Sequence, residues 1–205
     1  MPNICENTIR IVGDADKVNQ LLADMTTDGY EGRFHEHDQM VKVYDLTRVR
    51  PMPVVFESMH IGARNIDGFQ AKVWVYKDKD GNIVDDNLLQ ILTEDKDYTA
   101  EAVTDEVLDA LREEFGASDW REWRSNNWGT KWVTQVDVDN VSIEEYEGTM
   151  WVEFVVDSAW GPPHELLEFI NKEYELDGLS NRWWEEGGHA DCCLLYTSPS
   201  PRDRR

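Results

Sequence analysis

Three tryptophans, Trp128, Trp132 and Trp160, stand in two polar segments, Asn126-Asn127-Trp128-Gly129-Thr130-Lys131-Trp132 and Asp157-Ser158-Ala159-Trp160-Gly161-Pro162-Pro163. An indole offers a large apolar face and one N–H donor, so exposed clusters of this kind stack on sugars, bases or partner side chains. The same rings serve equally as packing between a sheet and an insertion, with Gly129 and Gly161 letting the backbone approach closely. Lys131 is the one basic residue of the first segment. It either ion-pairs with Asp157 or Glu185 inside the molecule or holds an anionic ligand. The candidate binding residues are therefore Asn127, Trp128, Thr130, Lys131, Trp132, Asp157, Trp160 and Glu185.

Other arrangements hold less chemistry. Asp157, Glu185 and Glu186 offer carboxylates beside Trp platforms, but a glycosidase pair needs a separation of roughly 5–10 Å across a cleft, which spacing in sequence does not supply. His35-x-His37 with Asp38 would put two imidazoles on one side of a strand with no third ligand nearby, so surface residues are expected. Ser158 with His164 or His189 lacks a Gly-x-Ser-x-Gly elbow, and Gly187-Gly188 opens no helix that would cradle a phosphate. Cys5, Cys192 and Cys193 are too few for a disulfide framework or an iron–sulfur centre. No catalytic residue, metal or cofactor is assigned.

The formal charge is −22 at pH 7, spread along the chain. Residues 193–205 contribute three Arg and one Asp, a net +2, so residues 1–192 carry −24. Such a balance disfavours phosphate backbones and anionic lipid, because nucleic-acid affinity comes largely from Lys and Arg displacing counterions. Direct nucleic-acid or membrane binding is not expected. The acidity serves as a solvated surface or as a decoy for a basic, nucleic-acid-handling partner. No basic segment leads into an apolar run at Met1-Pro2-Asn3, and no stretch approaches the roughly 20 apolar residues of a membrane span.

Periodicity locates the elements that must position these residues. Thr8–Val12 alternates as a half-buried strand, and Asp14 caps a helix with Val18, Leu21, Leu22 and Met25 on one face, ended by Gly29. A second strand is expected in Met40–Val49, stopped by Pro51-Met52-Pro53. Residues 54 to about 117 read as an insertion, with a strand over Gln70–Tyr76 and a hairpin turn at Asp78-Lys79-Asp80-Gly81-Asn82. A calcium loop there fails, since Tyr76 and Asn87 would fill its acidic positions one and twelve. A helix is expected from Thr99 or Thr104 to Phe115, striped by Val103, Val107, Leu108, Leu111 and Phe115. A short helix spans Asp119–Arg124, and a strand follows at Val136 and Val138. Met150, Val152, Phe154 and Val156 mark a core strand. Pro163 opens a helix burying Leu166, Leu167, Phe169, Ile170 and Tyr174, and Gly178 releases a last strand near Leu179–Glu185. The order is that of a split βαβ unit.

The opening Met1-Pro2-Asn3-Ile4-Cys5-Glu6-Asn7, Arg50-Pro51-Met52-Pro53, the two Trp segments and Trp183-Trp184-Glu185-Glu186-Gly187-Gly188 resemble, in that order along the chain, the signatures of the YubB-like proteins of phages and conjugative plasmids. That family usually has an aromatic residue where Ile4 stands. The resemblance implies an α+β, ferredoxin-like domain of residues 1–192, with the insertion at about 54–117. It brings no established activity and hence no catalytic assignment. It implies a cytoplasmic setting in a bacterial host and, as partner, a host or phage protein. The expected function is a non-enzymatic accessory module that binds through its acidic surface and Trp-rich face. The alternative is a carbohydrate or small-ligand domain built on the Trp cluster. Residues 193–205 resemble an in-frame translation of a sequencing adapter and are expected to be disordered, with the native carboxyl end missing.

Overall fold

Alternation of buried residues with half-buried or exposed ones over Ile4–Asp14 makes the first strand, β1, central to its sheet. Cys5, Asn7, Ile9 and Ile11 face inward. The structure is a computed structural model and describes residues 3–29, 40–66, 68–84, 98–185 and 189–197, the last stretch by its backbone. The chain forms two compact units, Met1–Pro51 with Asn127–Arg205, and Met52–Asn126. Both mix helices with antiparallel sheets, an α+β architecture.

In the first unit, β1 lies between β10 (Thr149–Ala159) and β11 (Gly178–Glu185). The hairpin partner of β10 is β9 (Ser142–Tyr146), turned through Glu147 and Gly148, both at positive φ. With β12 (His189–Thr197) on β11, the sheet order is β12-β11-β1-β10-β9, antiparallel throughout. Helix α1 (Ala15–Met25) follows β1, capped by the Asp14 carboxylate, which accepts from the backbone N–H of Asp16 and Lys17. It buries Val18, Leu21, Leu22 and Met25, the face that the 3.6-residue period marks. The helix after β10, His164–Glu173, buries Leu166, Leu167 and Ile170. Tyr174 and Phe169 stay half-buried, with the Arg50 guanidinium 4.8 Å above the Phe169 ring.

Three expectations for this unit need correction. Helix α1 stops at Met25, and Thr26–Gly29 forms β2 instead of a last helical turn. The β-branched pair Thr26 and Thr27 faces Tyr44 and Val43 of β3 (Val41–Tyr44), which pairs in turn with β8 (Val136–Asp137). The strand expected over Met40–Val49 ends at Tyr44, because the Asp45 side chain accepts from the Thr47 N–H at 2.9 Å and caps a 3-10 turn, Leu46–Val49. The second strand beside β10 is thus β9, while β2, β3 and β8 make a separate sheet. Finally, residues 193–197 are not disordered but complete β12. The outer edge of β11 offers unpaired backbone groups, and the apolar, β-prone run Cys192–Thr197 fills it.

The second unit pairs β5 (Phe69–Asp78) with β4 (His60–Ile66), β6 (Ile83–Val84) and β7 (Tyr98–Ala102). Ala71, Val73 and Val75 are buried along one face of β5. The hairpin at Asp78–Asn82 forms as the residues predict: the Asp78 carboxylate accepts from the N–H groups of Asp80 and Asn82, and Gly81 takes φ 85°. Helix α2 spans Asp105–Phe115 and ends at Gly116 in the left-handed region, φ 73°. Tyr98–Ala102 joins the sheet, so of the two expected starts the helix takes the later one, with Thr104 at its N-cap position and not Thr99. Leu111 is buried, whereas Val107 lies off the inner stripe at 48 % exposure. Helix α3 runs from Trp120 to Trp128, four residues past the expected stop at Arg124. The helix His164–Glu173 is therefore α4. His35, His37, Asp38, Glu186, Gly187 and Gly188 lie outside the described residues. Among those described, no helix is long and apolar enough to cross a membrane.

Candidate functional site

The two Trp segments meet at the end of the sheet where β10 finishes. Val133 bridges to Ser158, and the Thr134 N–H donates to the Asp157 carbonyl at 2.8 Å. The Thr134 hydroxyl accepts the Asp157 N–H, also at 2.8 Å. Thr130, 3 % exposed, donates its hydroxyl proton to the Ala159 carbonyl at 2.8 Å and accepts the Ala159 N–H at 3.1 Å. The Trp132 carbonyl faces that same N–H at 3.3 Å. The first segment is thus laid against the second by backbone and hydroxyl groups, with Thr130 spent on structure.

The tryptophans part company. Trp128 is buried, and its indole N–H donates to the Arg50 carbonyl at 2.9 Å. The Arg50 guanidinium donates back to the Asn127 carbonyl at 3.1 Å. Gly129 sits at φ 77°, and a Cβ there would stand 1.8 Å from Glu165 Oε2 and 3.2 Å from the His164 backbone nitrogen. Lys131 and Trp132 are half-buried. Trp160 is 53 % exposed and itself holds φ 63°. The Gly161 N–H donates back to the Ala159 carbonyl across it, a strained γ-turn, and the Trp160 N–H is held by the Asn3 carbonyl at 2.8 Å. With one ring buried, one half-buried and one exposed, the three do not present a single open face, and Trp128 follows the packing alternative.

The carboxylates separate too. By strand register Glu185 shares the inward face of Cys5, whereas Asp157 shares the outward face of Glu6. A glycosidase pair would need both in one cleft. Glu185 accepts from the Asn3 side-chain amide at 3.0 Å.

Beneath them lies a buried polar network that the sequence reading overlooked: Cys5, Asn7, Ser158 and Asn181, all fully buried. The Asn7 amide donates to the Cys5 carbonyl and the Ser158 hydroxyl, each at 2.8 Å, and accepts from Asn181 Nδ2 at 3.0 Å. Ser158 donates to the Gly161 carbonyl at 2.7 Å. Extending the alternation of Ile9 and Ile11 back two and four residues would have put Asn7 and Cys5 on the core face. Asn181 follows in the same way from Leu179.

This network holds shape better than it performs chemistry. Burial pushes the Cys5 thiol up to about 11; a hydrogen bond with Ser158 opposes that, and the Glu185 and Asp157 charges add to it. The thiolate is therefore scarce at neutral pH. The Ser158 proton is committed to a carbonyl. His164 stacks edge-on against Trp183 at 4.9 Å, with its pKa lowered by burial against the pull of Glu165. Among the described residues no group of three or more His, Cys, Asp or Glu is gathered to hold a metal ion.

No family model, curated protein or solved structure matches this chain.

The open ground lies on the outward face of the five-stranded sheet. Trp151, Val155 and Trp184 are 40 %, 48 % and 52 % exposed there. Beside them Arg10 and Glu153 form an ion pair. Two shallow depressions adjoin along Arg10, one of about 360 Å³ by Glu6, Arg182 and Trp184, the other of about 330 Å³ by Glu144, Trp151 and Glu153. Trp184 was marked only as part of a signature segment and Trp151 not at all, since each occupies the alternate position of a strand and reads as ordinary surface.

Proposed function

We propose that this chain is a non-enzymatic, protein-binding accessory module of a phage or conjugative plasmid, acting in the bacterial cytoplasm on a basic host or phage protein. The observation that carries the reading is the outward sheet face, where large apolar side chains stand open on a molecule of net charge −22. Exposed aromatics ringed by charge are the composition of a protein interface. Acidity selects a basic partner and speeds encounter with it. A nucleic-acid mimic that blocks a restriction or repair protein is the specific form we favour. The strand order β11-β1-β10-β9, with α1 after β1 and α4 after β10, supports a ferredoxin-like core and, with the signature segments, membership of the YubB-like family. The carbohydrate reading loses support because Trp128 is buried.

The test immobilises the full chain and challenges it with basic nucleic-acid-handling proteins of the host. Retention at low salt and release at moderate salt is expected, as is a loss of at least tenfold in affinity for the Trp151→Ser, Trp184→Ser double variant. Salt-insensitive retention would sink the mimic form, and retention indifferent to both tryptophans would remove the sheet face.

A further inference from the structure

The hairpin strand β9 ends the five-stranded sheet. Among the described strands it pairs with β10 alone, and all five of its residues are exposed. An edge strand turns the N–H and C=O of every second residue away from its partner, leaving a row of donors and acceptors open to another strand. Its chemistry is one-sided: residues 132–171 hold nine carboxylates and no Lys or Arg, and Glu144, Glu145 and Glu147 cluster at this hairpin. Ile143 and Tyr146 add apolar surface, 44 % and 67 % exposed.

A second observation says where a bound strand's side chains would go. Trp151 is directly opposite Glu144, and Glu153 opposite Ser142. The depression of about 330 Å³ runs up to β9, with Glu144 and Trp151 in its wall. Glu153 is already ion-paired with Arg10, while Glu144 makes no ion pair among the described residues. Every second side chain of an added strand would lie over this face. A lysine or arginine there meets the Glu144 carboxylate and comes within reach of the Trp151 ring. The intervening side chains meet Ile143 and Glu145.

We propose that β9 is the docking edge for an extended, basic segment of a partner protein, which adds as a further strand with lysine or arginine at alternate positions. The proposal rests on the protein-binding reading above and names the element and chemistry through which it works. A second copy of this chain is the poorer occupant. Two β9 strands pairing with each other would set acidic residues directly opposite acidic residues, which destabilises a ladder. The same charges that keep copies apart favour a strand of opposite sign.

The probe is a fluorescein-labelled nonapeptide of alternating lysine and threonine, titrated with the full chain. Saturable binding is expected, weakened at least tenfold by the Glu144→Lys, Glu145→Lys double variant. A peptide of equal charge with two threonines replaced by proline, which cannot complete the ladder, should bind at least tenfold more weakly. Hydrogen exchange at residues 142–146 should slow at least tenfold on binding. Equal binding of the proline peptide would mean charge attraction alone and overturn the docking edge, while leaving the acidic-surface reading standing. So would retention of a basic protein by a chain that binds no lysine peptide. A free chain that is already dimeric with slow exchange at 142–146 would overturn it in favour of a second copy. Failure of every basic protein and every peptide would remove both proposals together.

Discussion

The dipeptide Trp-Gly occurs twice in the signature segments, and the two copies do opposite things. Trp128 is 5 % exposed, and Gly129 takes the left-handed backbone pressed against the first turn of α4. At the other copy the tryptophan takes the left-handed backbone and turns its ring outward, while Gly161 has nothing within 4 Å of where a Cβ would stand. Identical residue types thus make a buried anchor in one place and an exposed knob in the other. What separates them is the neighbour: a helix end and the Arg50 carbonyl at the first, the end of a strand held by Asn3 and Ser158 at the second.

Substitutions can break this contrast. Trp128→Ala is expected to destabilise the chain by about 3–5 kcal/mol, combining a cavity with an Arg50 carbonyl left without its donor. Trp160→Ala should change stability by no more than about 0.5 kcal/mol. Urea unfolding of both variants measures the difference, and equal losses would dissolve the contrast. Gly129→Ala comes next, at about 1–2 kcal/mol, from a positive φ and from contact with the His164 backbone. The Glu165 carboxylate is the end of a flexible side chain and can swing aside, which keeps the loss modest. Gly161→Ala should be silent within about 0.5 kcal/mol, and a thermal shift as large as that of Gly129→Ala would show that the turn tolerates no Cβ. The one effect of opposite sign belongs to Trp160→Gly, expected to raise stability by about 0.5–1 kcal/mol by relieving the left-handed strain. A fall in thermal midpoint would mean that the exposed ring packs on something that compensates for its backbone.

Much of the first unit was legible because it obeys simple periods. The inward rows of β1 and β10, the buried face of α1 and the capping Asp14 follow from alternation, a 3.6-residue repeat and a short acidic side chain. Where those signals overlapped, the reading slipped. Thr26–Gly29 satisfies either a helix end or a strand, and pairing with β3 decided it. The run Met40–Val49 is β-rich throughout, yet one hydrogen bond from the Thr47 N–H to the Asp45 carboxylate ended the strand early. The sheet partner of β10 went unnoticed in Ser142–Tyr146, whose short, acidic run lacks the apolar face of a core strand.

The candidate site was legible in part. Asn127, Trp128, Thr130, Trp132, Asp157 and Trp160 do converge on the end of β10, through contacts with Arg50, Thr134 and Ala159, but convergence took the form of mutual hydrogen bonding. Residue type announced that Trp128 and Thr130 matter without saying that they face inward. The network of Cys5, Asn7, Ser158 and Asn181 was missed because polar residues in a strand read as surface until three strands are seen to bring them together.

By itself, the sequence determined the periodic elements, the inward face of the central strands, the acidic balance and the want of a recognisable catalytic motif. These depend on residues close in the chain or on sums over it. Tertiary structure alone decided which tryptophan is an anchor and which is exposed, which carboxylate lies on which face, and which strand was left at the edge. Each of those turns on what lies across a strand or under a helix, and that neighbour comes from a distant part of the chain, where no local spacing can name it.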